Sequence, residues 1–230
     1  VEALHSFLIQ EYPADRCELI IVNDYPEQKL IFDHPQVTIY NLDETFPLIG
    51  EKENYAIERC NGDLIAVWDD DDVAMSNHLM NIANHWKEDT NIIHWETGVF
   101  YNEPSITSIT GVGNSGIVYS KDVWERIGKS PLENAGGDTT LTNRIHALGG
   151  KLDVKMPDSE ASWFYMWGGR GYHQSGEGTD DETKPNIIQR HSAWIESLRA
   201  KGEIPTGDIH LVPAWKQDYK QMLKDYVSSS

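Results

Sequence analysis

Short apolar runs alternate with segments of helical period along the first hundred residues, and this alternation constrains the fold more than any other feature. Leu19-Ile20-Ile21-Val22, Val37-Thr38-Ile39-Tyr40, Leu64-Ile65-Ala66-Val67-Trp68 and Asn91-Ile92-Ile93-His94-Trp95 each read as a strand. The first has no polar interruption, as expected of a strand buried on both faces of a parallel sheet. Between the second and third runs, residues 51–62 place Ala56, Ile57 and Cys60 on an inward face and stop at Asn61-Gly62. After the third, Ser76 stands as an N-cap before Leu79, Ile82, Ala83 and Trp86, which recur at i, i+3, i+4, i+7. Residues 3–10 read as the end of an opening helix. The pattern predicts an α/β protein whose mixed, mainly parallel central sheet is flanked by helices.

Past Gly98 the texture changes. Ser105-Ile106-Thr107-Ser108-Ile109-Thr110 and Gly116-Ile117-Val118-Tyr119-Ser120 predict shorter strands, followed by helices over 121–127 and after Asp138. Residues 163–185 combine aromatics with five glycines and read as a long mobile loop rather than core. Helices over 185–201 and 214–226 are expected to close the chain. A length of 230 residues suits one large core, so a single domain is expected. Its parts are a first half over 1–97, a second over 98–184 and terminal helices over 185–230.

Charge narrows the partners. Nineteen Lys+Arg against 37 Asp+Glu give −18, which repels nucleic acid and anionic membrane surfaces. An anionic ligand would therefore need something other than net charge to attract it, and a divalent cation is the obvious agent. No window approaches ~18 consecutive apolar residues, so no transmembrane segment is expected. The opening residues carry no signal pattern, and Cys17 and Cys60 are too few for a disulfide framework. A cytoplasmic location with both thiols reduced is the expectation.

The run Leu64–Trp68 leads directly into Asp69, Asp70, Asp71 and Asp72. Ligands of open α/β sheets bind beyond the carboxyl ends of the strands, where these aspartates lie. Carboxylates crowded there suit Mg²⁺ or Mn²⁺, which take one or two carboxylates plus substrate phosphate oxygens. A solvated acidic turn is the plainer alternative. An EF-hand does not fit, because its fifth and sixth positions counted from Asp69 hold Val73 and Ala74. A GxxxxGK[ST] phosphate loop is absent as well.

Residues 49–72, Ile-Gly-Glu-Lys-Glu-Asn through the four aspartates, resemble the nucleotide-binding half of the family 2 glycosyltransferases, which have the GT-A fold. The residues that carry this likeness are Gly50, Lys52, Asn54, Cys60, Gly62 and Asp63, then Asp69, Asp71 and Asp72 of the Asp-x-Asp motif. Upstream, residues 10–26 are similar to the family's helix–strand segment that ends in an acidic contact to the nucleobase, here Asp24. Downstream, residues 113–128 resemble the acceptor-side strand and helix, and Gly136-Gly137-Asp138 stands at the family's Glu-Asp catalytic motif. The resemblance spans residues 3–148. Three departures accompany it. The family's first strand should precede the opening helix, whereas this sequence starts within that helix, so the strand is expected to be absent or upstream. Glu53 stands where an Arg is common, and Gly137 replaces the Glu of the pair.

The resemblance implies a metal-dependent enzyme that moves a sugar from a nucleoside diphosphate sugar, UDP-linked in preference, to a carbohydrate or other hydroxyl acceptor with inversion. Mn²⁺ or Mg²⁺ is the implied cofactor, with Asp71 its direct ligand, Asp69 supporting it or meeting ribose, and His173 a third ligand from the glycine-rich loop. Asp24, Lys52, Asn54, Asp69, Asp70 and Arg170 are the implied donor-binding residues, with Asp70 turned inward in support. Asp138 is the implied general base, and a helix N-cap is its alternative role. Trp163, Tyr165, Trp167 and Tyr172 could stack on sugar faces or simply pack. Two rival readings remain. One is a sugar-1-phosphate nucleotidyltransferase, and the other is a non-catalytic nucleotide- or sugar-binding protein, which would have no need of Asp138.

Overall fold

The computed structural model describes residues 1–111, 116–133, 136–167, 193 and 196–230. Its central sheet has the order β10-β6-β9-β4, formed by Lys151–Val154, Ile92–Trp95, Val118–Ser120 and Leu64–Ala66. Strands β6 and β10 run parallel, and β9 runs antiparallel to both β6 and β4. Alternate side chains of a strand leave opposite faces, so this sheet has two cores. On one face Ile65, Ile92 and Tyr119 meet Ile57, Trp124 and Ile145 of helices α2 (Ile49–Arg59), α4 (Lys121–Arg126) and α5 (Gly137–His146). On the other, Ile93, Trp95, Val118 and Val154 meet Ile82 of α3 (His78–His85). The result is a three-layer α/β arrangement.

Beside it, β1 (Leu19–Asn23) and β3 (Val37–Asn41) pair in parallel, with Leu19 opposite Val37, and α1 (Glu2–Leu8) covers them through Leu4 and Phe7. An asparagine ladder holds β2 (Gln28–Ile31) against this pair. Asn41 Oδ1 accepts from Leu30 N at 2.8 Å and from Asn23 Nδ2 at 2.9 Å, while Asn41 Nδ2 donates to Leu30 O at 3.0 Å. The outer edge of β2 pairs in parallel with β12 (Gly207–His210), which draws a late segment onto the first part of the chain.

A further sheet has the order β5-β11-β7-β8, from Val73–Ala74, Trp163–Trp167, Gly98–Asn102 and Ser105–Thr110. Helix α6 (Tyr219–Ser229) packs Tyr219 and Leu223 on it, and Asp218 Oδ1 caps that helix through Gln221 N at 2.9 Å. Here the structure corrects the loop expected from residue 163. Trp163 and Phe164 are fully buried, and β11 pairs with β7 on one side and β5 on the other. Residues 168–184, and most of the helix expected over 185–201, lie outside the described residues. Ser76 is also not the α3 cap. Asn77 takes that position, and Ser76 Oγ donates to Glu11 Oε1 at 2.8 Å.

His78 joins the two larger sheets. It is fully buried, with ring centroids 5.0 Å from Trp163, 5.6 Å from Trp95 and 5.8 Å from Trp68. Its Nδ1 lies 2.9 Å from Ser162 Oγ, and burial alone pushes its pKa down to about 3, so the ring is neutral.

Candidate active site

The site forms where β1, β4, α2 and α5 converge. Asp24 follows β1, whose end is held by the asparagine ladder. Its Oδ1 accepts from Lys52 Nζ at 3.1 Å, its Oδ2 accepts from Phe46 N at 3.2 Å, and its carbonyl accepts from Thr45 Oγ1 at 2.8 Å. Lys52 is thus turned to Asp24 on the same side of α2's first turn.

That first turn is seated by close backbone contact. Gly50 lies so near the turn after α4 that a Cβ there would fall 1.8 Å from Pro131 O. Asn54, one turn on, closes the same contact. Its Oδ1 accepts from Ser130 N at 2.8 Å and from Trp124 Nε1 at 3.1 Å, and its Nδ2 donates to Ser130 O at 3.2 Å. The structure therefore uses the Asn54 amide to lock α2 onto the 130–132 turn. Donor contact was expected of this residue, but its amide oxygen and nitrogen are already engaged with protein.

The four aspartates leave β4 in unlike directions. Asp72 turns inward and is buried. Its Oδ2 accepts from Trp163 Nε1 at 2.9 Å and its Oδ1 from Met166 N at 2.9 Å, which staples the acidic turn to β11. Burial and the nearby Asp69 raise its pKa, against the pull of those two bonds. Asp70, expected to turn inward, is exposed. The difference arises because β5 begins immediately after Asp72 and pairs with β11, so the chain has already turned into the core at residue 72. Trp163 is consumed by the same staple and cannot stack on a sugar, and Tyr165 packs edge-on against Phe100 at 5.3 Å.

Asp69 and Asp71 remain half-buried. Burial pushes the Asp69 carboxyl up to about 7, helped in turn by Asp71, Asp70, Glu53 and Asp138, all acidic. Four carboxyls from three elements therefore act on one. Asp138 is exposed in the first turn of α5, its Oδ1 accepting from its own neighbour Thr139 N at 2.7 Å, and the N-cap is Gly136 in the left-handed region at φ 74°. Among the described residues, no three or more His, Cys, Asp or Glu side chains surround a common point. The donor set fits a divalent cation that takes one or two carboxylates and completes its shell with water and phosphate oxygens. Arg170, His173, Tyr172 and the side chain of Trp167 lie outside the described residues.

Glu53 has no assigned role in the sequence reading beyond its departure from Arg. In the structure its carboxyl lies within the fields of Asp69 and Asp138, with its pKa raised first by burial and then by Asp138, against the Ser130 hydroxyl and Lys52. The signal was available. Gly50 and Ile57 are the buried positions of α2, and Glu53 stands one turn from each on the same side of the helix while remaining exposed.

Comparison with known proteins agrees with this geometry. The sequence profile described as Glycosyl transferase family 2 matches residues 1–149. No curated protein sequence matches the chain. Among solved structures, S. aureus TarS 1–349 superposes with a TM-score of 0.55 at 14% identity, over 81% of this chain and 64% of that one. The same protein in complex with UDP gives 0.57 at 13% identity, over 89% and 71%. The mannosyltransferase PcManGT from Pyrobaculum calidifontis, in complex with GDP-Man and Mn²⁺, gives 0.55 at 16% identity, over 89% and 72%. The chain spans only 39% of a longer TarS structure. Likeness at these identities speaks for the fold. With 149 of its 230 residues matched by the family profile, the chain belongs to glycosyl transferase family 2, and it has the GT-A fold of its structural neighbours.

Proposed function

We propose that this protein is a glycosyltransferase that moves a sugar from a UDP-sugar to an acceptor hydroxyl, with inversion and with dependence on Mn²⁺ or Mg²⁺. The observation that carries the reading is the convergence of four carboxyls on Asp69, beside the Asp24–Lys52 pair. Solved relatives in fold bound to UDP, and to GDP-Man with Mn²⁺, support a nucleotide-sugar donor and a metal. Membership of a glycosyltransferase family argues against the nucleotidyltransferase and non-catalytic alternatives.

Asp69 and Asp71 would hold the cation. When bound, it supplies positive charge to a diphosphate that gathers negative charge as it departs. Asp24, oriented by Lys52 and Phe46 N, keeps lone pairs free to accept from a uracil N3–H. Asp138, exposed at the start of α5, accepts the proton of the attacking hydroxyl. A single displacement assisted by one base inverts the anomeric centre.

Calorimetry of UDP binding with Mn²⁺ and with chelator tests the reading. Strong metal dependence in the wild type, lost in Asp71→Ala, is the expected result. Equal UDP affinity under both conditions overturns the metal assignment. Asp138→Asn should keep UDP binding while transfer falls by ~10²-fold or more, and wild-type transfer in that variant would remove Asp138 as the base.

A further inference from the structure

Both ends of the aspartate run lead to one buried histidine. Trp68 immediately precedes Asp69, and Trp163 Nε1 donates to Asp72 Oδ2 at 2.9 Å, so an indole stands at each end of the run. The two indoles meet edge-on with centroids 5.5 Å apart, and the His78 ring closes a triangle with them at 5.8 Å and 5.0 Å. Trp95 packs against the same imidazole at 5.6 Å. The triangle is tied to its surroundings by polar bonds. Trp68 Nε1 donates to Ala3 O at 3.0 Å, and His78 Nδ1 lies 2.9 Å from Ser162 Oγ. Ser162 is buried and held in turn: its carbonyl accepts from Met75 N at 2.9 Å, and Met75 O accepts from His78 N at 3.1 Å. Ring, hydroxyl and turn therefore form one connected unit, joined to the aspartates at residues 68 and 72.

We infer that His78 is a positioning residue for the cation: its ring, fixed by Ser162, wedges Trp68 and Trp163 so that Asp69 and Asp71 are held in place before a metal binds. Adjacent carboxylates repel one another, and a turn free to respond would spread them. A metal site needs its ligands fixed to within about 0.5 Å, and groups beyond the ligands themselves supply that fixity. Ordering the turn in advance also removes an entropy cost from binding. Histidine suits the place better than an aliphatic residue of similar size. It offers a flat face to the indoles and one nitrogen to Ser162. Burial keeps it neutral, so it adds no positive charge that would oppose a cation. The inference rests on the metal reading proposed above and extends it to a residue outside the proposed ligand set.

The test titrates Mn²⁺ into the protein with UDP present and follows the free ion by electron paramagnetic resonance, a readout independent of transfer. Four proteins are compared: wild type, His78→Leu, Ser162→Ala and Leu223→Ala. His78→Leu keeps the volume but loses the flat ring and its bond to Ser162. Ser162→Ala leaves the ring and removes the hydroxyl that fixes it. Leu223→Ala opens a cavity where α6 packs on the sheet that contains β11, away from the triangle, and controls for general loss of stability in urea. His78→Leu and Ser162→Ala are each expected to bind Mn²⁺ about 10-fold more weakly than wild type, the lower end of what supporting groups contribute to a metal site. The UDP affinity left in chelator should not change in either, and Leu223→Ala should keep wild-type Mn²⁺ affinity. Wild-type Mn²⁺ affinity in Ser162→Ala, or in a folded His78→Leu, overturns the inference alone. So does an equal loss in Leu223→Ala, because any loosening of the fold would then suffice. Should His78→Leu fail to fold, Ser162→Ala decides. Failure of the wild type to take up Mn²⁺ with UDP overturns the metal reading and this inference with it.

Discussion

Asp70 and Asp72 are identical in chemistry and two residues apart, and the structure gives them opposite duties. Asp72 is buried and accepts from Trp163 Nε1 and Met166 N, whereas Asp70 faces solvent. Asp72→Ala would leave two buried N–H groups without partners, each costing about 1–3 kcal/mol, offset in part by removal of a poorly solvated carboxyl. A net loss of roughly 2 kcal/mol is expected in urea denaturation, together with weaker metal-dependent UDP binding, because Asp71 would lose its rigid neighbour. Asp70→Ala should stay within about 0.5 kcal/mol of wild type. Equal losses in both variants would refute this division. The aspartates' place beyond a strand end was legible because it depends on a local pattern, an apolar run breaking into charge. Which aspartate turns inward was not, because β11 decides it from about ninety residues away. Nor did the sequence reveal that the Asn54 amide would be spent on Ser130 and Trp124, since both partners sit beyond residue 120.

Helix α2 carries Lys52, Glu53 and Asn54, so its seat on the 130–132 turn positions three residues of the site. Context-free helix propensity favours Ala over Gly by about 1 kcal/mol, which predicts that Gly50→Ala stabilises the protein. The structure predicts the reverse. A Cβ placed 1.8 Å from Pro131 O meets backbone that no rotamer change can clear, so the first turn of α2 must lift away. Overpacking of this kind costs about 1–3 kcal/mol, enough to outweigh the propensity gain. Gly50→Ala is expected to be destabilised in urea and to bind UDP less tightly, as Lys52 moves off Asp24. A stabilised variant with full UDP affinity would show that the contact is loose. The same dependence on distant partners separates the elements that were legible from those that were not. Strands β1, β3, β4 and β6 and helix α2 show in their own residues, through unbroken apolar runs or a 3.6 period. Strand β11 is defined by its pairing with β7 and β5, and β12 by its pairing with β2, and their glycine-rich or polar surroundings disguise both.

Across the whole molecule, two sets of titratable groups give stability opposite dependences on pH. Asp69, raised to about 7, binds a proton more tightly in the folded state than in the unfolded chain. Its contribution therefore improves as pH falls from about 7 towards the ordinary carboxylate range, and it destabilises most above about 7. Asp72 and Glu53 are shifted in the same direction. His78, lowered to about 3, behaves in the opposite way: the unfolded chain takes up the proton first, so stability is full above about 6.5 and declines as pH falls below that. His94, lowered by burial and then by Lys151 and His146, adds to the decline. Asp69 and His78 each contribute a slope of up to about 1.4 kcal/mol per pH unit within its window, and these two offset one another between pH 5 and 7, so in chelator the profile is shallow. A cation on Asp69 and Asp71 would take Asp69 out of the acidic arm and leave the histidine arm less opposed. Urea denaturation across this range should therefore show a shallow profile in chelator. In Mn²⁺, stability should rise most above pH 7 and then fall steeply on acidification. Asp69→Asn in chelator should steepen the acid fall without metal, because it removes Asp69 from that arm while Asp72 and Glu53 remain. If the wild-type profiles in chelator and Mn²⁺ run parallel, Asp69 does not carry the charge that opposes His78, and the carboxyl cluster is not where the cation acts.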